Sequence, residues 1–199
     1  MFEEHCNDND YTFRAAVGEI FDYCVLEYSF AFWQWGECVD SIPSLEGMDE
    51  TIFNHFIMVC SPDYFAIEGQ ERIKAFFVQA AKELGYYAYD AKQFKGEMDV
   101  KSTKGYVTKL FLPDSVKVQF SPTAGKKVRR FIKNDADNIL LIYGGWDPWS
   151  ASGIDLKGNS NLIKIVKPGG DHKTRINNLP EEQKKVAVSA LKKWLEISE

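Results

Sequence analysis

Two short apolar runs, each closed by a glycine pair, set the narrowest limits on what this chain can fold into. Asn138-Ile139-Leu140-Leu141-Ile142-Tyr143 ends at Gly144-Gly145, and Asn161-Leu162-Ile163-Lys164-Ile165-Val166 ends at Pro168-Gly169-Gly170. Runs this short and this rich in Ile, Leu and Val read as strands of a parallel sheet. A helix from about Pro180 to Ile197 follows. Its expected buried face is Val186, Ala187, Ala190, Leu191, Trp194 and Leu195, with Asn178 and Glu181 at capping-box spacing. Strand, loop, strand, loop, helix is an α/β layout. It is also an unfinished one. Two parallel strands make a poor sheet by themselves, and Asn138–Tyr143 has the content of an interior strand that needs further partners.

Upstream the pattern is different. From Thr12 to Trp35, apolar residues recur at three- and four-residue steps (Phe13, Val17, Ile20, Phe21, Cys24, Tyr28, Ala31), predicting one long helix or two abutting ones that stop at Gly36. Further helices are predicted from Asp49 to Val59, and from Tyr64 or Gln70 to Leu84 with Gly85 as its cap. Tyr106–Leu112 and Val116–Phe120 read as short strands or extended segments, and Ala124–Lys133 as a helix. The composition changes near residues 100–105, so a helical region over 1–105 and an α/β region over 106–199 are expected.

Charge excludes some functions. With 24 Lys and Arg against 29 Asp and Glu, the net charge is -5, which offers no basic surface for nucleic acid. The run Lys126-Lys127-Val128-Arg129-Arg130 has the spacing of a solvated helix face. No apolar run reaches the length of a membrane span, and the acidic Met1-Phe2-Glu3-Glu4-His5 start is unlike a signal peptide. Cys6, Cys24, Cys38 and Cys60 include no CxxC pair, leaving disulfides and buried free thiols both open. His5, Cys6, Asp8 and Asp10 are too irregularly spaced, on a terminus expected to be mobile, for a metal site. No metal or organic cofactor is expected.

The chemistry concentrates in the two glycine loops. Asp147 follows the first strand in Gly144-Gly145-Trp146-Asp147-Pro148-Trp149-Ser150, and His172 follows the second in Pro168-Gly169-Gly170-Asp171-His172. Adjacent parallel strands deliver their C-terminal loops to one sheet edge, where open α/β sheets carry sites. An aspartate there can hold a histidine in one tautomer while the histidine shuttles a proton. From spacing alone the plainer reading stands beside it, with Asp147 capping a turn and His172 a surface residue. His55, in Phe53-Asn54-His55-Phe56, reads as a packed helix histidine. Phe30, Phe32, Trp33 and Trp35 read as helix packing, or as the wall of an apolar pocket with Glu37 beside it for a peptide amino terminus. Trp146 and Trp149 offer a second aromatic surface next to the acid loop.

Gly145-Trp146-Asp147-Pro148-Trp149-Ser150, followed by Gly169-Gly170-Asp171-His172, resembles the acid and base motifs of proline-oriented serine peptidases. The resemblance is to the secreted tripeptidyl aminopeptidases of the PS-10 type and, more distantly, to the lysosomal Pro-X carboxypeptidase group. It implies a partial α/β-hydrolase fold with nucleophile, acid and base in the order Ser, Asp, His. Asp147 matches the acid, His172 the base, and the helices of residues 11–84 the cap. It also implies short peptide substrates and a secreted or periplasmic setting. No G-x-S-x-G elbow occurs, however. Ser29, Ser121, Ser150, Ser152, Ser160 and Ser189 all lack its context, so the nucleophile and its oxyanion hole are expected upstream of Met1. The chain then reads as a C-terminal portion of a serine exopeptidase, predicted inactive without that partner segment or prone to self-association. A truncated, non-catalytic hydrolase-like binding module and part of an esterase are the alternatives.

Overall fold

The computed structural model describes residues 1–156 and 161–197. Its elements run α1 (Phe2–Asp8), α2 (Val17–Trp35), α3 (Asp49–Val59), α4 (Ile67–Gln70), α5 (Lys74–Gln79), α6 (Tyr106–Phe111), α7 (Thr123–Asn134), β1 (Ile139–Gly144), β2 (Leu162–Lys167) and α8 (Glu181–Trp194). The fold is mixed α/β. Two compact units divide the chain: Met1–Ala31 with Cys38–Gly125, and Phe32–Glu37 with Lys126–Glu199. In this division α6 lies in the first unit. The Tyr106–Leu112 segment, expected as a short strand or extended, is helical over Tyr106–Phe111, because Tyr106, Val107, Leu110 and Phe111 share one helical face, and all four are buried in the first unit. Val116–Phe120 forms no strand, but Val116 and Val118 pack against the same core.

The first unit is held by aromatic packing on α2. Ile20, Tyr23 and Cys24, at the spacing of one helical stripe, are fully buried with Phe65, Phe77, Leu110 and Phe111. Phe77 and Phe111 stack with centroids 3.9 Å apart, and Tyr23 stacks on Tyr106 at 5.7 Å. Each such side chain contributes about 1.5–3 kcal/mol on burial. The helix expected to end at Leu84 is broken into α4, α5 and a π-type turn over Ala80–Leu84, closed by Gly85 at φ 78°. α1 buries Cys6, so the N-terminal segment is a packed helix where mobility was expected. All four cysteines are free thiols, three of them buried.

A buried carboxyl group, that of Glu27, lies inside this aromatic core. Glu27 is 5% exposed, and its carboxylate accepts hydrogen bonds from the Tyr87 hydroxyl at 2.7 and 2.8 Å and from Tyr89 at 2.5 Å. Burial pushes the carboxyl above its usual range, and the two phenol donors hold it back only in part.

In the second unit β1 and β2 pair in parallel, with register from Ile139 opposite Leu162 to Gly144 opposite Lys167. α8 lies on this pair, and Ile165, Leu179 and Ala187 form a small core against Leu140, Ile142, Ile163 and Ile176. Two expectations are corrected here. The buried residues of α8 are Ala187 and Ala190, with Leu191 and Trp194 half-buried, whereas Val186 and Leu195 are exposed, because a two-stranded sheet covers only a narrow stripe of the helix. The Asn178–Glu181 capping box does not form. Pro180 is the N-cap, and the Asn178 side chain instead accepts from the Arg175 amide. β1 is half-buried along most of its length, not interior, because among the described residues it has one strand neighbour. Among those residues no helix is long and apolar enough to cross a membrane.

Two outcomes follow. The 199-residue chain should associate through the open strand edges, since each buried backbone group left unpaired costs about 1–3 kcal/mol. Light scattering over a dilution series should show mass falling with concentration; a concentration-independent monomer with strong amide-exchange protection across β1 and β2 would contradict this. Glu27 should make stability pH-dependent. The folded carboxyl binds its proton more tightly than the unfolded one, so its contribution is complete below the unfolded value and is lost as pH rises through the folded value. Urea midpoints of Glu27→Gln should therefore gain on the parent as pH rises above the ordinary glutamate range, about pH 4. A constant difference would show that the burial penalty is not expressed.

Candidate active site

The acid loop is built by backbone turns. The Gly145 N–H donates to Lys167 O at 2.9 Å and the Trp146 N–H to Gly170 O at 2.8 Å, tying the loop after β1 to the loop after β2. Only glycine fits at 144, where a Cβ would run into the Asp171 and Gly170 carbonyl oxygens. Asp147 then caps the 3-10 turn Pro148–Ser152, its Oδ1 accepting from the Trp149 N–H at 3.1 Å. The plainer sequence reading, a turn-capping aspartate, describes this one oxygen.

The other oxygen faces His172. Asp147 Oδ2 lies 2.8 Å from His172 Nδ1, with the Asp147 side chain 8% exposed and that of His172 41% exposed. An ionised carboxylate only accepts, so the Nδ1 facing it carries the proton and Nε2 of the neutral ring keeps its lone pair. Among the described residues Nε2 has no hydrogen-bond partner. The base loop is fixed independently. Thr174 Oγ1 donates to Asp171 O at 2.7 Å, and Arg175 Nη1 donates to the carbonyls of His172 and Thr174 at 2.9 and 2.7 Å. The result is a buried acid, an oriented imidazole and an open proton-accepting nitrogen.

The last turn of α2 borders this pair. The Trp35 ring meets the His172 ring edge-on with centroids 5.7 Å apart, and Trp33 meets Trp146 in the same manner at 5.4 Å. Trp33, Trp35 and Trp146 are 37%, 44% and 56% exposed, leaving indole surface open beside the imidazole. Trp149 is half-buried, its Nε1 donating to Gln34 Oε1 at 3.2 Å. Glu37 is half-buried and enters no ion pair among the described residues.

Other candidates fall elsewhere. His55 bonds the Tyr28 hydroxyl at 2.8 Å on the wall of a cavity of about 630 Å³ in the first unit. Ser150 donates its backbone N–H to Asp147 O, and its buried hydroxyl finds no partner among the described residues. Ser160 lies outside the described residues. Among those residues no three His, Cys, Asp or Glu side chains gather as a metal site would require. Gln34 was missed by sequence reasoning. It lies 115 residues from Trp149, and nothing in its local pattern marks it.

The chain is 25% identical over 204 residues to a prolyl tri/tetrapeptidyl aminopeptidase of Streptomyces mobaraensis, a match covering 97% of this chain and 42% of that relative. It thus spans less than half the length of the curated relative it matches. No solved structure matches it. The family model described as PS-10 peptidase S37 matches residues 2–199, and the chain belongs to that peptidase family.

Proposed function

We propose that this chain supplies the acid and base of a Ser-Asp-His triad in a serine exopeptidase of the α/β-hydrolase type, acting on short, proline-containing peptides. The observation that carries the reading is the 2.8 Å contact between His172 Nδ1 and Asp147 Oδ2 at the mouth of two glycine loops. In the reaction, a serine hydroxyl from a segment upstream of the sequence described here attacks the scissile carbonyl carbon. His172 Nε2 takes the hydroxyl proton as the C–O bond forms. The ring becomes an imidazolium, which Asp147 stabilises through Nδ1–H without itself taking the proton. That proton then passes to the leaving amine as the C–N bond breaks. Water, deprotonated by the same nitrogen, releases the acyl group and regenerates the serine.

Substrate binding is assigned to the open indoles of Trp33, Trp35 and Trp146, with Trp149 beneath the acid loop. A proline ring has the flat apolar faces such surfaces take up, and Glu37 offers a carboxylate to a peptide amino terminus. The helical first unit is assigned as the cap. Membership of the peptidase family and similarity to a prolyl aminopeptidase support the substrate class.

The 199-residue chain alone should take up no fluorophosphonate label and turn over no peptide. Joined to a serine-bearing segment upstream, it should hydrolyse short prolyl peptides, and Asp147→Asn or His172→Ala should each lower kcat/KM by about 10³–10⁴-fold. Stoichiometric labelling of one serine in the chain alone, with turnover lost on changing that serine, would overturn the assignment.

A further inference from the structure

Resting on the assignment of Asp147 and His172 as acid and base, we infer that Gln34 is a positioning residue that locks the two against each other. Gln34, in the last turn of α2, hydrogen-bonds to both glycine loops. Its backbone carbonyl accepts the His172 N–H at 2.9 Å, and its side-chain Oε1 accepts the Trp149 Nε1–H at 3.2 Å. Trp149 in turn donates its backbone N–H to Asp147 Oδ1 at 3.1 Å, and Asp147 Oδ2 meets His172 Nδ1 at 2.8 Å. These four bonds close a ring that passes through Asp147, Trp149, Gln34 and His172 in turn. Both oxygens of the acid and both the main chain and the ring of the base belong to it.

A closed ring constrains more than its bonds taken singly, because neither loop can shift without breaking a link at another point. The approach of α2 is itself specific. Gly36 sits at φ 76°, and a Cβ there would collide with the Asp171 carboxylate, so the turn after Gln34 is shaped to the base loop. Lys173 Nζ adds a hydrogen bond to Trp35 O at 3.1 Å and lies 5.8 Å from the Trp35 ring centroid, holding the same turn from the other side of His172. The side-chain link is the part that a substitution can test, since the backbone carbonyl survives every replacement of Gln34.

The orientation of His172 can be read in dilute solution from the rate at which diethyl pyrocarbonate modifies its Nε2, resolved by peptide mapping from His5 and His55. An imidazole whose Nδ1–H is held by a carboxylate reacts faster at Nε2, so Asp147→Asn sets the slow limit and the urea-unfolded chain sets the unstructured one. Gln34→Leu should slow His172 about fivefold towards the Asp147→Asn rate, the loss of one net hydrogen bond. Gln34→Glu, which keeps an acceptor for the indole, should stay at the parent rate. Trp149→Phe should match Gln34→Leu, and the double variant should be no slower than either. If Asp147→Asn slows His172 while Gln34→Leu leaves it unchanged, the inference about Gln34 is wrong and the acid–base pair stands. If Asp147→Asn has no effect, the pair itself fails and Gln34 with it. Should Gln34→Leu raise the rate to the unfolded limit, Trp149→Phe decides; the same rise in both makes Gln34 a folding residue and overturns the inference.

Discussion

Parallel pairing of β1 with β2 is the constraint from which the site descends. The register, running from Ile139 opposite Leu162 to Gly144 opposite Lys167, ends both strands at the same level. Their glycine loops then emerge side by side, close enough for Gly145 and Trp146 to donate N–H groups across to Lys167 and Gly170. Because side chains alternate along a strand, a slip of one residue would turn Ile165 away from the Ala187 face of α8. It would also draw the acid loop along the base loop by one residue rise, about 3.3 Å, more than the Asp147–His172 hydrogen bond can span. The apolar packing of Ile165 against α8 therefore helps set the position of the Asp147 carboxylate.

The two units place their buried carboxylates in opposite situations. Glu27 is enclosed by phenols, and burial drives Tyr64, Tyr86, Tyr87 and Tyr89 upward too, so they remain neutral donors. Both oxygens of Glu27 are occupied by Tyr87 and Tyr89, and the group organises packing. Asp147 also has both oxygens occupied, but one partner is an imidazole with its other nitrogen open. A buried carboxylate facing a half-exposed titratable ring can pass the consequence of its charge outward. One facing only phenols cannot. That difference separates a structural acid from a candidate catalytic one.

Local signals in the sequence carried much of this. The strands, the glycine turns, the end of α2 at Gly36 and the nearness of Asp147 to His172 follow from periodicity and turn chemistry. What escaped was non-local. Tyr106–Leu112 reads as a short strand or extended segment, yet a helical face over Tyr106–Phe111 fits the Phe65–Phe77 core, and packing overrides propensity. The broad apolar face of α8 overstated its burial because a two-stranded sheet covers only the Ala187–Ala190 stripe. Gln34 carries no mark of its own; its importance comes from partners 115 and 138 residues away in the chain.

The proposed triad needs further groups for chemistry. A serine hydroxyl must reach about 2.6–3.2 Å from His172 Nε2, with two donors aimed at the developing oxyanion. Among the described residues no serine hydroxyl bonds that nitrogen. The pair is nonetheless already formed, with the acid 8% exposed, the ring edge-on to Trp35, and the His172 main chain held by Arg175 and the Gln34 carbonyl. On the proposed triad reading, the orientation of acid and base is met by elements local to the two loops and the last turn of α2. An incoming nucleophile would then approach an imidazole already oriented, with the entropy of assembling acid and base settled by folding before any substrate binds.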